Sequence, residues 1–245
     1  MKDRRFWFWH ATVPGLLFIG IAVIFEISRL DVLIAFYHFD FANERWRCYT
    51  CWWSNEFLHI GGRVFTGSVW LSIFGCWLAS FRYDRFIFLR RASFYSWIAM
   101  LCASGCVTVL KQFTNIDCPW GLAMFDGYYP YIRLFEDRPD YLPITECFPS
   151  AHASAGFAFL SLYFMLRDYH RRWAYVGLGL GLILGFSYGY AQQARGAHFM
   201  SHDIWAGAVC WFTCLLVYKI VFGGRLWTTA SIISVKPSLI FIRKL

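Results

Sequence analysis

Charge is scarce in this chain. Asp, Glu, Lys and Arg make up 16% of its 245 residues, against 58% apolar residues. A soluble domain of this length needs more charge than that to cover its surface. Proline is rare as well, with seven in all, and Pro119, Pro130, Pro139 and Pro143 fall within one stretch. Long helices are therefore excluded between 111 and 150 and allowed elsewhere. No internal repeat, low-complexity linker or soluble block divides the sequence, so it reads as one membrane-embedded domain over 1–245.

What is present is a series of apolar runs close to the length that crosses a hydrocarbon core. Six are recognisable, at 11–28, 64–81, 92–110, 151–166, 173–191 and 204–222, the fourth being short. They imply an all-α, polytopic membrane protein with six transmembrane helices. The basic start and first run resemble a signal peptide, but bulky aromatics and the lack of a small-residue cleavage pattern favour a retained anchor. If the N-terminus is cytoplasmic, segments 1–10, 82–91, 167–172 and 219–245 share one side and carry 15 of the 23 Lys/Arg. The net charge of +8 then follows the positive-inside rule and is no nucleic-acid footprint. Both termini are expected in the cytoplasm, and the basic tail after 222 on lipid headgroups or disordered. Cys48, Cys51, Cys118 and Cys147 fall in outward loops, as suits an oxidising compartment. A Cys118–Cys147 bridge would staple the second loop, and Cys48-x-x-Cys51 has the spacing of half a zinc site or a redox pair.

Three polar patches lie at the same membrane boundary: Lys111 to Trp120 after the third run, Pro149-Ser150-Ala151-His152 opening the fourth, and Arg195-Gly196-Ala197-His198-Phe199-Met200-Ser201-His202-Asp203 opening the sixth. Ionisable groups at such depth are costly unless they bind something or each other. Singly, Lys111 reads as a snorkelling lysine, His152 as a capping or packing residue and Asp203 as a helix-start acid. Together they suit phosphoryl transfer. Lys and Arg balance the equatorial oxygens, a hydroxyl and a helix N-terminus supplement them, and a neutral His whose tautomer is fixed can attack phosphorus. A second, protonated His can supply the leaving oxygen with a proton. His198 and His202 are also one helical turn apart, the spacing of paired metal ligands. Asp117, Asp126, Arg133, Glu136, Asp137, Arg138 and Asp140 read as solvated loop charges, with Arg133 or Arg138 available for a phosphate. His10, His38, His59 and His170 read as interfacial or loop residues. Glu26, inside the first span, has no partner that can be named.

The three patches resemble the motifs of the type-2 phosphatidic acid phosphatase superfamily: Lys-x6-Arg-Pro, Pro-Ser-Gly-His and Ser-Arg-x5-His-x3-Asp. The resemblance implies six spans with the site on the outer face, no cofactor and no metal. Carried over by position, it makes His198 the nucleophile, His152 the general acid and Asp203, one residue late, the acid that orients His198. Lys111 and Ser150 become phosphate ligands. Cys118 stands where the first motif has arginine, and Gln192 where the third has it. Arg195, about one turn beyond Gln192, is then the compensating phosphate ligand, while His202 and Gln192 support from behind. The implied activity is hydrolysis of a lipid phosphate or diphosphate at the periplasmic face of a bacterial inner membrane, with undecaprenyl diphosphate the first choice. Lipid A or phosphatidylglycerophosphate phosphatase, lipid phosphotransferase and an inactive lipid-binding relative are the alternatives. The expected partners are that substrate and membrane lipids, not nucleic acid. Oligomeric state is not legible.

Overall fold

The computed structural model describes residues 2–223; residues 224–245, which hold most of the expected headgroup-binding tail, lie outside them. Among the described residues, five helices are long and apolar enough to cross a bilayer: α1 (Arg4–Ile27), α3 (Trp53–Arg82), α4 (Arg90–Thr114), α6 (Arg171–Ala194) and α7 (Met200–Gly223). A helix of 24 residues rises about 36 Å, enough for a hydrocarbon core. The expected fourth span is α5 (Ala151–Leu166), apolar but shorter than the other five. Its shortness has a physical counterpart. Ala153, Phe157, Ala158, Leu160 and Phe164 are all at most 2% exposed, so α5 is lined by protein and need not match the bilayer thickness.

The core follows from where small residues fall. Gly177, Gly181, Gly185 and Gly189 recur every four residues along α6 and so lie on one face. A Cβ at the first three would meet Leu162, Leu160 or Phe157 of α5, and one at Gly189 would meet the Asp203 carboxylate. Across the same seam, a Cβ at Gly156 would meet the backbone of Leu184 and Gly185. Such ridges let helix backbones approach where lipid supplies no hydrophobic drive. α7 packs at the centre, with 61% of its apolar window buried, against 6% for α1 and α3. Tyr95, Phe157, Phe164, Cys210, Cys214 and Leu215 form its apolar surround. His10, expected at an interface, is instead buried against α5, where its Nε2 meets the Tyr163 hydroxyl at 2.8 Å.

One end of the bundle is capped by the two long loops. The first folds into α2 (Leu30–His38) and a two-residue hairpin, β1 (Phe39–Asp40) with β2 (Arg45–Trp46), Phe39 paired with Trp46. Ala35, Phe39 and Trp46 pack on Leu122, Phe125 and Phe199. Asp31 of α2 is buried and accepts the Ser201 N–H at 3.0 Å, so it satisfies one of the free donors at the start of α7. Cys118 and Cys147 are disulfide-bonded across the second loop, and Cys48 and Cys51 across a tight turn in the first. The charges at 117 and 138 are not solvated. Arg138 and Asp117 form an ion pair whose side chains are 9% and 4% exposed, with Thr145 Oγ1 donating to the same carboxylate at 3.0 Å. Arg138 is thereby committed to the loop and withdrawn from the phosphate role open to it in the sequence. Arg133 pairs with Glu136 at 3.7 Å.

Candidate active site

Backbone hydrogen bonds tie the three polar patches into one body. Trp120 N–H donates to Gly196 O at 2.9 Å, Cys147 N–H to Ile116 O at 3.1 Å, and Ser150 N–H to His202 O at 3.1 Å. Thr114 Oγ1 adds a hydrogen bond to Phe148 O, and the Cys118–Cys147 disulfide adds a covalent tie. Residues far apart in sequence therefore hold fixed places around the start of α7.

How His198 is aimed follows from the end of α6. Gly196 adopts φ +74°, a left-handed conformation that side chains resist. Its N–H donates to Gln193 O at 2.9 Å and that of Ala197 to Gln192 O at 2.8 Å, the paired bonds of a Schellman helix end. A Cβ at 196 would also run into the Trp46 indole. The chain turns sharply there and delivers His198 just before α7 begins.

His198 is 9% exposed, whereas Asp203 is fully buried. The His198 Nδ1 lies 3.4 Å from the His202 Nδ1 and 3.5 Å from the Cys147 sulfur. One of the facing imidazole nitrogens must carry the proton and the other accept it. With the proton on His198, its Nε2 keeps a free lone pair. Lys111 and His152 both lie within electrostatic reach of this ring. Burial, helped by His202 and then Lys111, holds the His198 pKa well below the usual imidazole range, so the ring is neutral at physiological pH.

Asp203 does not take the place expected of it. No hydrogen bond joins it to His198 among the described residues; it accepts from Gln193 Nε2 at 2.6 Å. His198 lies in the turn before α7, while Asp203 lies on that helix with its carboxylate turned to Gln193 at the end of α6. The ring that meets His198 is that of His202, four residues on. Ser150 is also fully buried. Its Oγ caps α5 by accepting the Ala153 N–H at 3.3 Å, with Asp203 alongside. It thereby holds the helix start in place.

His152, at the first turn of α5, donates from Nε2 to Leu58 O at 3.1 Å if that nitrogen is protonated, and its ring packs edge-to-face on His59, centroids 4.8 Å apart. His59 is accordingly not a loop residue but a neighbour of the site. It accepts at Nε2 from Arg63 Nη2 at 2.9 Å. Both belong to the first turns of α3, which begin as a π-helix over Trp53–Gly61, a winding that recurs at functional sites. The sequence offers one late signal for them: Arg63 is a cation at the end of an apolar span. Arg195 Nε donates to Tyr49 O at 3.3 Å and its Nη1 to Gln192 Oε1 at 3.5 Å, so Gln192 stands beside the arginine expected to replace it.

Two further features border the site. The Cys147 sulfur and the imidazoles of His198 and His202 place possible ligand atoms within 4.8 Å of one another. The disulfide withholds the Cys147 thiolate, which leaves two imidazoles, one fewer than the three protein ligands of a catalytic zinc centre. Below the site an apolar groove of about 850 Å³ runs between α1, α4 and α7, bordered by Leu110, just before Lys111, and by Ile204 and Trp205, just after Asp203.

In comparison with known proteins, residues 93–225 match the sequence model of the PAP2 superfamily. No curated protein and no solved structure matches the chain.

Proposed function

The chain belongs to the PAP2 superfamily, and from that premise we propose that it hydrolyses a lipid phosphate or diphosphate through a phosphohistidine on His198, undecaprenyl diphosphate being the first-choice substrate. Members of the superfamily are generally phosphatases acting on lipid-like phosphates. The observation that carries the reading for this chain is the 3.4 Å approach of the His198 and His202 Nδ1 atoms, with Lys111 and His152 in reach. It turns the His198 Nε2 lone pair toward an incoming phosphorus and leaves a cation for the phosphoryl oxygens.

In the proposed reaction the Nε2–P bond forms as the bond from phosphorus to the leaving oxygen breaks. His152, protonated on both nitrogens with its Nε2–H held by Leu58 O, gives its Nδ1 proton to that oxygen. Water then attacks the phosphohistidine, returns a proton to His152 and releases inorganic phosphate. His202 accepts the Nδ1–H of His198 throughout, taking the orienting part first assigned to Asp203. Lys111 binds the phosphoryl group under attack, Arg195 contributes to binding of substrate phosphate, and Ser150 and Asp203 brace the site from behind. The apolar groove that starts at Leu110 supports a lipid substrate, since it offers the hydrocarbon tail a path beside the phosphate site. Both disulfides lie at this end of the bundle, which, with the basic segments at the other end, supports a periplasmic site in a bacterial inner membrane.

The test is phosphate release from a panel of lipid phosphates and diphosphates by purified protein, with wild type and His198→Ala, with and without chelator. Wild type is expected to release phosphate in chelator, and His198→Ala to lose at least about 10³-fold. A panel without any turnover, or full activity in His198→Ala, refutes the proposal. Radiolabel appearing in a second lipid rather than as inorganic phosphate makes the protein a transferase instead.

A further inference from the structure

The surroundings of His152 contain more positive charge and more idle donors than one phosphoryl group needs. Because Arg63 donates to the His59 Nε2, the proton of a neutral His59 sits on Nδ1. That Nδ1 is buried and has no hydrogen-bond partner. Gln192 offers the same picture: its Oε1 accepts from Arg195, and its Nε2 is buried without a partner. Neither Arg63 nor Arg195 has a carboxylate in ion-pair range among the described residues, yet the two guanidiniums lie within electrostatic reach of each other. Both also act on His152. Buried donors are nearly always satisfied in folded proteins, and like charges at close quarters repel. Two arginines within reach of one imidazole, each bonded to a side chain that keeps a buried N–H without a partner, describe a place prepared for an anion.

We infer that Arg63, His59, Arg195 and Gln192 form a second anion subsite, on the leaving-group side of His152, that holds a phosphate which stays with the lipid. The substrate is then a lipid diphosphate. This rests on the reading that His198 attacks and His152 protonates the departing oxygen, and it deepens that reading by fixing what departs. In anhydride cleavage the Nε2–P bond forms at the terminal phosphorus, and the bond from that phosphorus to the bridging oxygen breaks. The electron pair stays on that oxygen, now a terminal oxygen of the lipid monophosphate, which takes the His152 proton. A phosphate monoester of this kind carries about −1.5 to −2 charge near pH 7, which the subsite balances. Cleavage of a monoester releases a neutral alcohol on a hydrocarbon chain, for which two arginines and two donors have no use. None of the three motifs contains Arg63 or His59; both come from α3, outside the 93–225 match.

The experiment compares farnesyl diphosphate with farnesyl phosphate, two substrates of one tail, on the full-length protein in detergent, using wild type, Arg63→Gln, Arg63→Lys and His198→Ala. Arg63→Gln is expected to lower the ratio of kcat/KM for diphosphate over monophosphate by about 10–100-fold, the usual effect of losing a charged hydrogen bond. Arg63→Lys is expected to recover part of that ratio. Farnesyl phosphate is expected to inhibit diphosphate turnover, with a Ki that rises by a similar factor in Arg63→Gln. Equal losses on both substrates, or a wild-type preference for the monophosphate, overturns the second subsite while leaving the phosphatase reading intact. Undiminished turnover of both substrates by His198→Ala overturns the phosphatase reading itself.

Discussion

Replacing His202 separates the two candidates for the group that orients the nucleophile. In the folded chain its Nδ1 is 3.4 Å from the His198 Nδ1, and His198 is largely enclosed. Truncation to Ala leaves a buried Nδ1–H without its acceptor, at a cost of about 1–3 kcal/mol, and frees the ring to adopt the tautomer whose Nε2 carries the proton. At 1.36 kcal/mol per factor of ten, His202→Ala should lower kcat about 10–100-fold with little change in KM. His202→Asn is the informative partner. Its Oδ1 stands the same number of bonds from Cβ as the His Nδ1, so the acceptor remains and kcat should stay within about threefold. Asp203→Asn keeps an acceptor for the Gln193 amide and should also stay within about threefold. The assay is phosphate release, together with alkaline-quenched trapping of the phosphohistidine and a melting curve for each variant. Were Asp203→Asn to lose as much kcat as His202→Ala at unchanged melting temperature, or His202→Asn to be as impaired as His202→Ala, the orienting role of His202 would fall.

Asp31 gives a pH signature. Burial, with Glu26 adding to it and the Ser201 hydrogen bonds opposing it, raises its carboxyl to about 6. As pH rises from about 4 to 6 the unfolded chain ionises first, so Asp31 makes the protein lose stability through that window, by about 2–3 kcal/mol at most, and has no further effect above it. Asp31→Asn should remove this slope while keeping an acceptor for the Ser201 N–H; unfolding midpoints measured from pH 4 to 7 that fall identically in both proteins would contradict it. Gly156→Ala tests the seam between α5 and α6, where the added methyl meets the Leu184 and Gly185 backbone. About 1–3 kcal/mol of lost stability is expected from such overpacking, and a melting temperature equal to that of wild type would show that the seam yields.

Much of the fold was legible because bilayers impose a simple rule on sequence. Apolar runs near twenty residues must be helices, since lipid offers the backbone no hydrogen bonds. The five long helices lie over five of the expected runs, and the short run at 151–166 became the short enclosed helix α5. The three polar patches were legible because charge and imidazole are costly at that depth. Less was legible wherever the outcome depended on direction. Asp203 follows His198 by nearly the right number of residues, but the packing of the start of α7 on the end of α6 turns it toward Gln193 and leaves His202 facing the ring. Asp117 and Arg138 carry no mark in the sequence that separates a buried pair from two solvated loop charges; only the folding of the second loop, braced by Cys118 and Cys147, encloses them.

The amino-acid order alone determined that the chain is rich in membrane-spanning helices, and it singled out His198, His152 and Lys111 as the residues on which the proposed phosphate chemistry rests. Those conclusions need only composition, run length and local spacing. The tertiary structure decided which imidazole faces His198, that Ser150 caps a helix, and that Arg63 and His59 cross over from α3 to stand near His152. These depend on the close packing of helices distant in sequence and on the handed turn at Gly196, and no count of residues between motifs contains that information.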